Sequence, residues 1–267
     1  MAGDGRSLPR HDVGCRVHLA FTRRTGGRSD APYDSLNLGD HVGDDAAVVA
    51  ANRQRVADEI GVGAGHVVYM QQVHGRAVAV VDGPVAEPVP EVDALVTATP
   101  GLALAVFVAD CAPVLLADRT AGVVAAVHAG RRGLQLDVVG AAMRAMSDLG
   151  ARPTRIHWWI GPTICGRCYE VPAAMQAEVG AVSLRAVSTT RQGTPGLDIR
   201  HGVADQLHEW GIPQDHGVHS ADCTMEQADL FSHRRDGVTG RQAGVIWLTP
   251  PPHDTARSAR AAAGTPG

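Results

Sequence analysis

AVFVADCAPVLLADRTAGVVAAVHAGRRG, residues 105–133, is the stretch that decides the architecture of this chain. Three apolar, β-prone runs (102–108, 113–117 and 123–128) follow one another with only short turns between them. No helix-length segment separates these runs, so a doubly wound βαβ sheet fits poorly, and a mixed-sheet α+β layered fold fits better. The same stretch sets Cys111 between its first two runs and His128 at the end of the third. Strand ends are where a rigid scaffold can aim side chains into a cleft.

Working outward, further strands are predicted over 16–21, 67–73, 77–81, 94–98, 155–160 and 242–248, and helices over 46–60, 134–149, 172–180 and 197–210. A Gly-rich loop occupies 23–34. There is no internal repeat and no long linker, so a single catalytic domain is expected over 1–249, followed by a disordered tail, PPPHDTARSARAAAGTPG, over 250–267.

The chain of 267 residues can bury a substantial core without disulfide staples. A formal charge of -4 advertises no nucleic-acid surface. All 24 basic residues are Arg, which excludes a Schiff-base or P-loop lysine and leaves any anion clamp to Arg. No apolar segment reads as a signal or a membrane span, and the five cysteines (Cys15, Cys111, Cys165, Cys168 and Cys223) form an odd set. Both features favour reduced thiols in a cytoplasmic protein with no membrane partner.

Three segments carry metal-capable side chains at the ends of apolar strands: YMQQVHG at His74, VFVADCAPVLLAD at Cys111 and VVAAVHAGRRG at His128. Separations of 37 and 17 residues are too long for a zinc-finger knuckle but suit ligands converging from separate strands. A two-His, one-Cys set leaves tetrahedral zinc one open position, as catalytic sites do, where a water has its pKa lowered toward ~7. Spacing alone suits equally well two hydrogen-bonded histidines and a small core thiol. CGRC at 165–168 has the form of a zinc or redox pair but lacks a second ligand pair nearby in sequence, so an inert reading is the default.

AVFVADCAPVLLAD followed by AAVHAGRRG and preceded by QQVHG resembles the laccase-domain purine nucleoside phosphorylase family, once labelled polyphenol oxidase. The match continues as APYDSLNLGDHVGDD with Asn52-Arg53, then IGPTICGRCYEV, DCT and LFSHRRDGVTGRQAGVIWL, spanning roughly 21–248. The resemblance implies a layered α-β-β-α sandwich, similar to cysteine-hydrolase-like toxin domains, with His74, Cys111 and His128 as ligands of zinc, copper being the less favoured metal. It also implies phosphorolysis of adenosine, inosine, guanosine and methylthioadenosine, with inorganic phosphate as co-substrate and adenosine deamination as a side activity. The chain departs from the family's HAGWRG by placing Arg131 where a Trp is usual.

Phosphorolysis needs a cation clamp for phosphate and groups that stabilise oxocarbenium charge and the leaving purine. The candidates are Arg132, Arg53 and Arg235 for phosphate, Glu170 as the carboxylate and Asn37 either toward ribose or to position its loop, with His74, Cys111 and His128 completing the catalytic set. Asp110 is a candidate to orient a ligand histidine, and Ser232 to line the site. Two other chemistries remain open. One is a cysteine hydrolase or deamidase with Cys111 as nucleophile and a His base. The other is a copper polyphenol oxidase, disfavoured because none of the 13 histidines lies two residues from another. A metal-retaining binding protein without turnover is a third reading, and the assembly is expected to be a monomer or homodimer.

Overall fold

The computed structural model describes residues 10–14 and 16–250. Cys15 and the tail beyond residue 250 lie outside the described residues. The strands, in chain order, are β1 (Arg10–Asp12), β2 (Val17–Phe21), β3 (Val67–Val68), β4 (Val78–Val80), β5 (Ala94–Thr97), β6 (Ala103–Val108) and β7 (Ala112–Asp118). They continue as β8 (Val123–Ala129), β9 (Ile156–Ile160), β10 (Val187–Thr189), β11 (Pro195–Leu197), β12 (Gly217–His219) and β13 (Gln242–Leu248). The α-helices are α1 (Ala46–Ile60), α2 (Arg131–Gln135), α3 (Val138–Asp148), α4 (Ala173–Gly180), α5 (Ile199–Glu209) and α6 (His233–Asp236).

Two mixed sheets stack between helical layers, which is the expected α-β-β-α sandwich. One sheet runs β1-β2-β13-β6-β3 and the other β12-β9-β7-β8-β5-β4, with β10 and β11 forming a separate ribbon. The period-2 alternation of side chains assigns each face. In β6, Leu104, Val106 and Val108 join the core between the sheets, while Ala103, Ala105 and Phe107 pack in the cluster that holds Val56, Ala57 and Ile60 of α1. In β8, Val124 and Ala126 face the other sheet, and Val123, Ala125 and Val127 join Met143 and Met146 of α3. Both faces of β6, β7 and β8 are therefore buried, which is why their sequence reads as unbroken apolar runs.

Two of the expected elements come out shortened or divided. The strand expected over 67–73 ends at Val68, because the Gln72 side chain takes over the edge of β6: its Nε2 donates to the Phe107 carbonyl and its Oε1 accepts from the Phe107 N–H, each at 2.8 Å. The helix expected over 134–149 is split. Asp137 adopts the left-handed conformation (φ 58°) and accepts the Gly140 N–H at 3.0 Å, capping α3 as a fresh start.

The antiparallel pairing of β7 with β8 sets the site. Ala112 lies opposite Ala129 and Pro113 opposite His128, so Cys111, one residue before β7, and His128 emerge together at one end of this strand pair.

Candidate metal centre

His74 reaches that end of the β7–β8 pair from the loop between β3 and β4, with φ 58°, a backbone conformation uncommon for a residue with a Cβ. Three backbone N–H groups of this loop, those of Val73, His74 and Gly75, donate to Asp93 at 3.3, 2.9 and 2.6 Å. Asp93 is fully buried, and its Oδ1 also lies 2.8 Å from Nδ1 of buried His128. Burial would push the Asp93 carboxyl up, but the hydrogen bond from His128 and those from the loop hold it below the usual range. The ionised Asp93 fixes the proton on Nδ1 of His128 and leaves Nε2 to face the site.

His74 Nε2 and Cys111 Sγ are 3.8 Å apart, and the two imidazole rings stand edge to face with centroids 4.7 Å apart. The ligand atoms of His74, Cys111 and His128 all lie within 4.8 Å of one another. Tetrahedral zinc with bonds near 2.05 Å to nitrogen and 2.3 Å to sulfur would set N and S about 3.6 Å apart. The trio therefore fits a metal. Burial pushes the Cys111 thiol up, yet the charge and hydrogen bond of His128, with help from His74, bring it down to about 6. Burial likewise lowers His128, but the Cys111 charge and Asp93 overcome it and raise it to about 9. Gly130 closes the floor: a Cβ there would lie 2.9 Å from Cys111 Sγ and 3.2 Å from His74 Cδ2.

The trio forms the floor of a cavity of about 370 Å³. Its walls include Phe107 and Tyr169, the cations Arg131, Arg234 and Arg241, and His41 and His233. Arg234 lies over the Tyr169 ring at 5.0 Å, and burial pulls the Arg241 guanidinium below its ordinary value. Among the described residues, Asp110 is the carboxylate of this lining, and its oxygens are already engaged by Thr224 Oγ1, Ser232 Oγ and the Arg234 N–H at 2.6, 2.7 and 2.7 Å. That network holds Asp110 at φ 101° immediately before Cys111. Asp110, expected to orient a histidine, instead ties the 220–232 loop and the start of α6 to the turn before β7; the carboxylate on His128 is Asp93.

The other sequence candidates stand behind or beside the cavity. Asn37 is fully buried, and its Oδ1 accepts the Arg241 N–H at 2.8 Å. Arg53 stacks on Tyr69 and Phe107 (4.3 and 5.0 Å) and pairs with Asp40 at 3.1 Å. Arg132 is exposed on α2, whereas its neighbour Arg131 lines the cavity. Arg235 donates to the carbonyls of Thr224, Gln227 and Leu230, and Glu170 is exposed, its carbonyl accepting from Arg234 at 2.9 Å. Ser232 caps α6 through the Arg235 N–H. Sequence reasoning missed Asp93, Tyr169, Arg234 and Arg241. The last three sit inside motifs already quoted, in CYEV and GRQAG and beside Arg235. Asp93 announces itself only as an acid directly before the buried strand β5.

No α-helix among the described residues is long and apolar enough to cross a membrane. A family model described as multi-copper polyphenol oxidoreductase laccase matches residues 18–249. Purine nucleoside phosphorylase ORF3 of Streptomyces griseus is 56% identical over 234 residues, covering 87% of this chain and 94% of its own length. A purine nucleoside phosphorylase of Mycobacterium tuberculosis is 50% identical over 255 residues, covering 93% of this chain and 100% of its own. The crystal structure of YlmD from Geobacillus stearothermophilus matches with a TM-score of 0.85 at 32% identity, over 93% of this chain and 98% of that one. The chain therefore belongs to the multi-copper polyphenol oxidoreductase laccase family, in company with relatives named purine nucleoside phosphorylase.

Proposed function

We propose that this chain is a zinc-dependent purine nucleoside phosphorylase acting on adenosine, inosine, guanosine and methylthioadenosine, with adenosine deamination as a side activity. The observation that carries the reading is the pairing of a His-Cys-His ligand set with three arginines and two aromatic rings around one cavity of about 370 Å³. That volume lies within the range of small-molecule sites. Zinc suits two nitrogens and one sulfur with a fourth position open; when bound, it supplies Lewis-acid polarisation of the substrate group that reaches that position.

The residues of the chain do the rest. Arg131, Arg234 and Arg241 hold inorganic phosphate by charge-assisted hydrogen bonds. The rings of Phe107 and Tyr169 offer faces to the purine. A phosphate oxygen bonds to C1′ as the C1′–N9 bond breaks, and the purine leaves with the bonding pair and takes up a proton. Asn37 and Arg53 serve binding from behind the wall, Asn37 by fixing the backbone of Arg241 and Arg53 by supporting Phe107. Glu170 positions Arg234 through its carbonyl, Arg235 braces the loop behind Asp110, and Arg132 adds positive charge at the rim. With water in place of phosphate, exchange of the adenosine amino group for oxygen yields inosine and ammonia. Free thiols at Cys111, Cys165, Cys168 and Cys223 suit the cytoplasm.

The test is chromatographic product analysis of zinc-replete protein with adenosine, with and without phosphate, beside Cys111→Ala. Phosphate-dependent adenine and ribose 1-phosphate, absent in the variant, are expected; untouched adenosine, inosine and guanosine would overturn the reading. The row Asp93, His128, Cys111 favours one second reading, a cysteine hydrolase with His128 as base. Activity abolished by iodoacetamide but indifferent to chelator would select it.

A further inference from the structure

CGRC acquires in three dimensions the second ligand pair it lacks in sequence. Cys165, Cys168, Cys223 and Glu226 bring their ligand atoms within 4.8 Å of one another. Cys168 Sγ lies 3.0 Å and Cys165 Sγ 3.6 Å from Glu226 Oε1, and the Cys165 N–H points at Cys223 Sγ at 3.2 Å. Tetrahedral zinc would place sulfurs about 3.8 Å apart and a sulfur and a carboxylate oxygen about 3.6 Å apart.

The backbone is built for such a site. The Cys168 and Tyr169 N–H groups both turn back onto the Cys165 carbonyl, and the Glu226 and Gln227 N–H groups onto the Cys223 carbonyl. The two tight turns, C-x-x-C and C-x-x-E, are thus alike, and a β-bridge between Thr163 and Cys223 holds them side by side. Positive charge surrounds the cluster: Arg191 pairs with Glu226 at 2.6 Å, and Arg235 donates to the carbonyls of Thr224 and Gln227. Three thiolates and a carboxylate around a divalent ion carry a net charge of about −2, which those cations offset.

We propose that Cys165, Cys168, Cys223 and Glu226 form a second, structural site for a thiophilic tetrahedral cation, zinc. With four protein ligands the site is closed, so its work is to staple two loops rather than to turn over substrate. Both loops serve the cavity wall. Tyr169 follows Cys168 directly, and Thr224 follows Cys223 and donates to Asp110, the residue before Cys111.

The proposal is independent of the phosphorylase reading, and its test counts metal instead of activity. The wild-type protein, loaded with zinc and desalted, is expected to hold two zinc ions per chain by elemental analysis. The double variant His74→Ala with Cys111→Ala should keep one. Replacing that one with cobalt should give the near-ultraviolet sulfur-to-cobalt band and the strong visible bands of tetrahedral thiolate ligation. Glu226→Gln, which retains all three thiols, should weaken cobalt binding at this site by at least about tenfold. A double variant that holds no zinc, a cobalt form without thiolate bands, or a disulfide among these cysteines that persists in zinc-loaded protein would overturn the proposal.

Discussion

Gly130 and Asp93 determine whether three side chains become a metal centre. A methyl group at Gly130 would press against Cys111 Sγ and His74 Cδ2, and neither can retreat, because one sits at the mouth of a buried strand and the other on a loop pinned to Asp93. Gly130→Ala is accordingly expected to lower zinc affinity by at least about tenfold, read by chelator competition, while the far-ultraviolet circular dichroism stays that of the folded protein. Asp93→Asn removes the charge that orients His128 and leaves an amide where three loop N–H groups need acceptors. It should cost about 10–100-fold in zinc affinity and lower the melting temperature as well. His74, Cys111 and His128 stood out in the sequence through the family resemblance of their motifs, since spacing alone suited two hydrogen-bonded histidines and a core thiol equally well. Asp93 did not, since its partners at 73–75 and 128 are brought to it only by the fold. The arginines show a related limit. Arg131 and Arg132 are adjacent, as are Arg234 and Arg235, and which of each pair faces the cavity depends on the phase of a short helix that composition does not reveal.

Among the elements, the β7–β8 hairpin carries the site, and α5 supports the loop beside it. Asp198 caps α5 by accepting the His201 N–H at 3.2 Å, and its other oxygen accepts the Gly166 N–H at 3.2 Å, between Cys165 and Cys168. Burial would raise the Asp198 carboxyl, but the hydrogen bond and charge of His201 bring it down to about 2, and the same hydrogen bond raises His201. The carboxylate's contribution is therefore complete above its unfolded value near 4 and is lost as the pH falls toward 2. The contribution of His201 is complete below its ordinary value near 6.5 and is lost as the pH rises through its raised value. Asp198→Ala should destabilise the protein by about 1–2 kcal/mol in urea unfolding. The difference from the wild type should be larger near pH 5 than near pH 9; a difference that grew with pH would contradict the pairing. The long, strongly periodic elements were legible, whereas β10, β11 and β12, of three residues each, were not: runs so short have no period to read.

In the whole molecule, the inward faces of β6, β7, β8 and β13 meet in one core between the two sheets, and their outward faces pack under the helical covers. Leu115 is a fully buried member of that core, and Leu115→Ala should cost about 2–5 kcal/mol in unfolding free energy without altering the zinc count, since it removes no metal-capable group. Apolar runs without intervening helices made a mixed-sheet layered fold legible, and the family resemblance narrowed it to the sandwich; the Cys3Glu cluster was not legible, because Glu226 lies 58 residues from Cys168 and meets it only across two folded loops. The sheets deliver His74, Cys111 and His128 to one floor, and the loops above deliver cations and rings. The activity proposed for this cavity is transfer of ribose from a purine to phosphate. Its most direct test is the initial rate of adenine release from adenosine as phosphate is raised from zero, with ribose 1-phosphate quantified in the same samples. A rate that is negligible without phosphate, saturates with it, and yields one ribose 1-phosphate per adenine is predicted. Adenine released at the same rate without phosphate, or no ribose 1-phosphate at any concentration, would rule out phosphorolysis in this cavity.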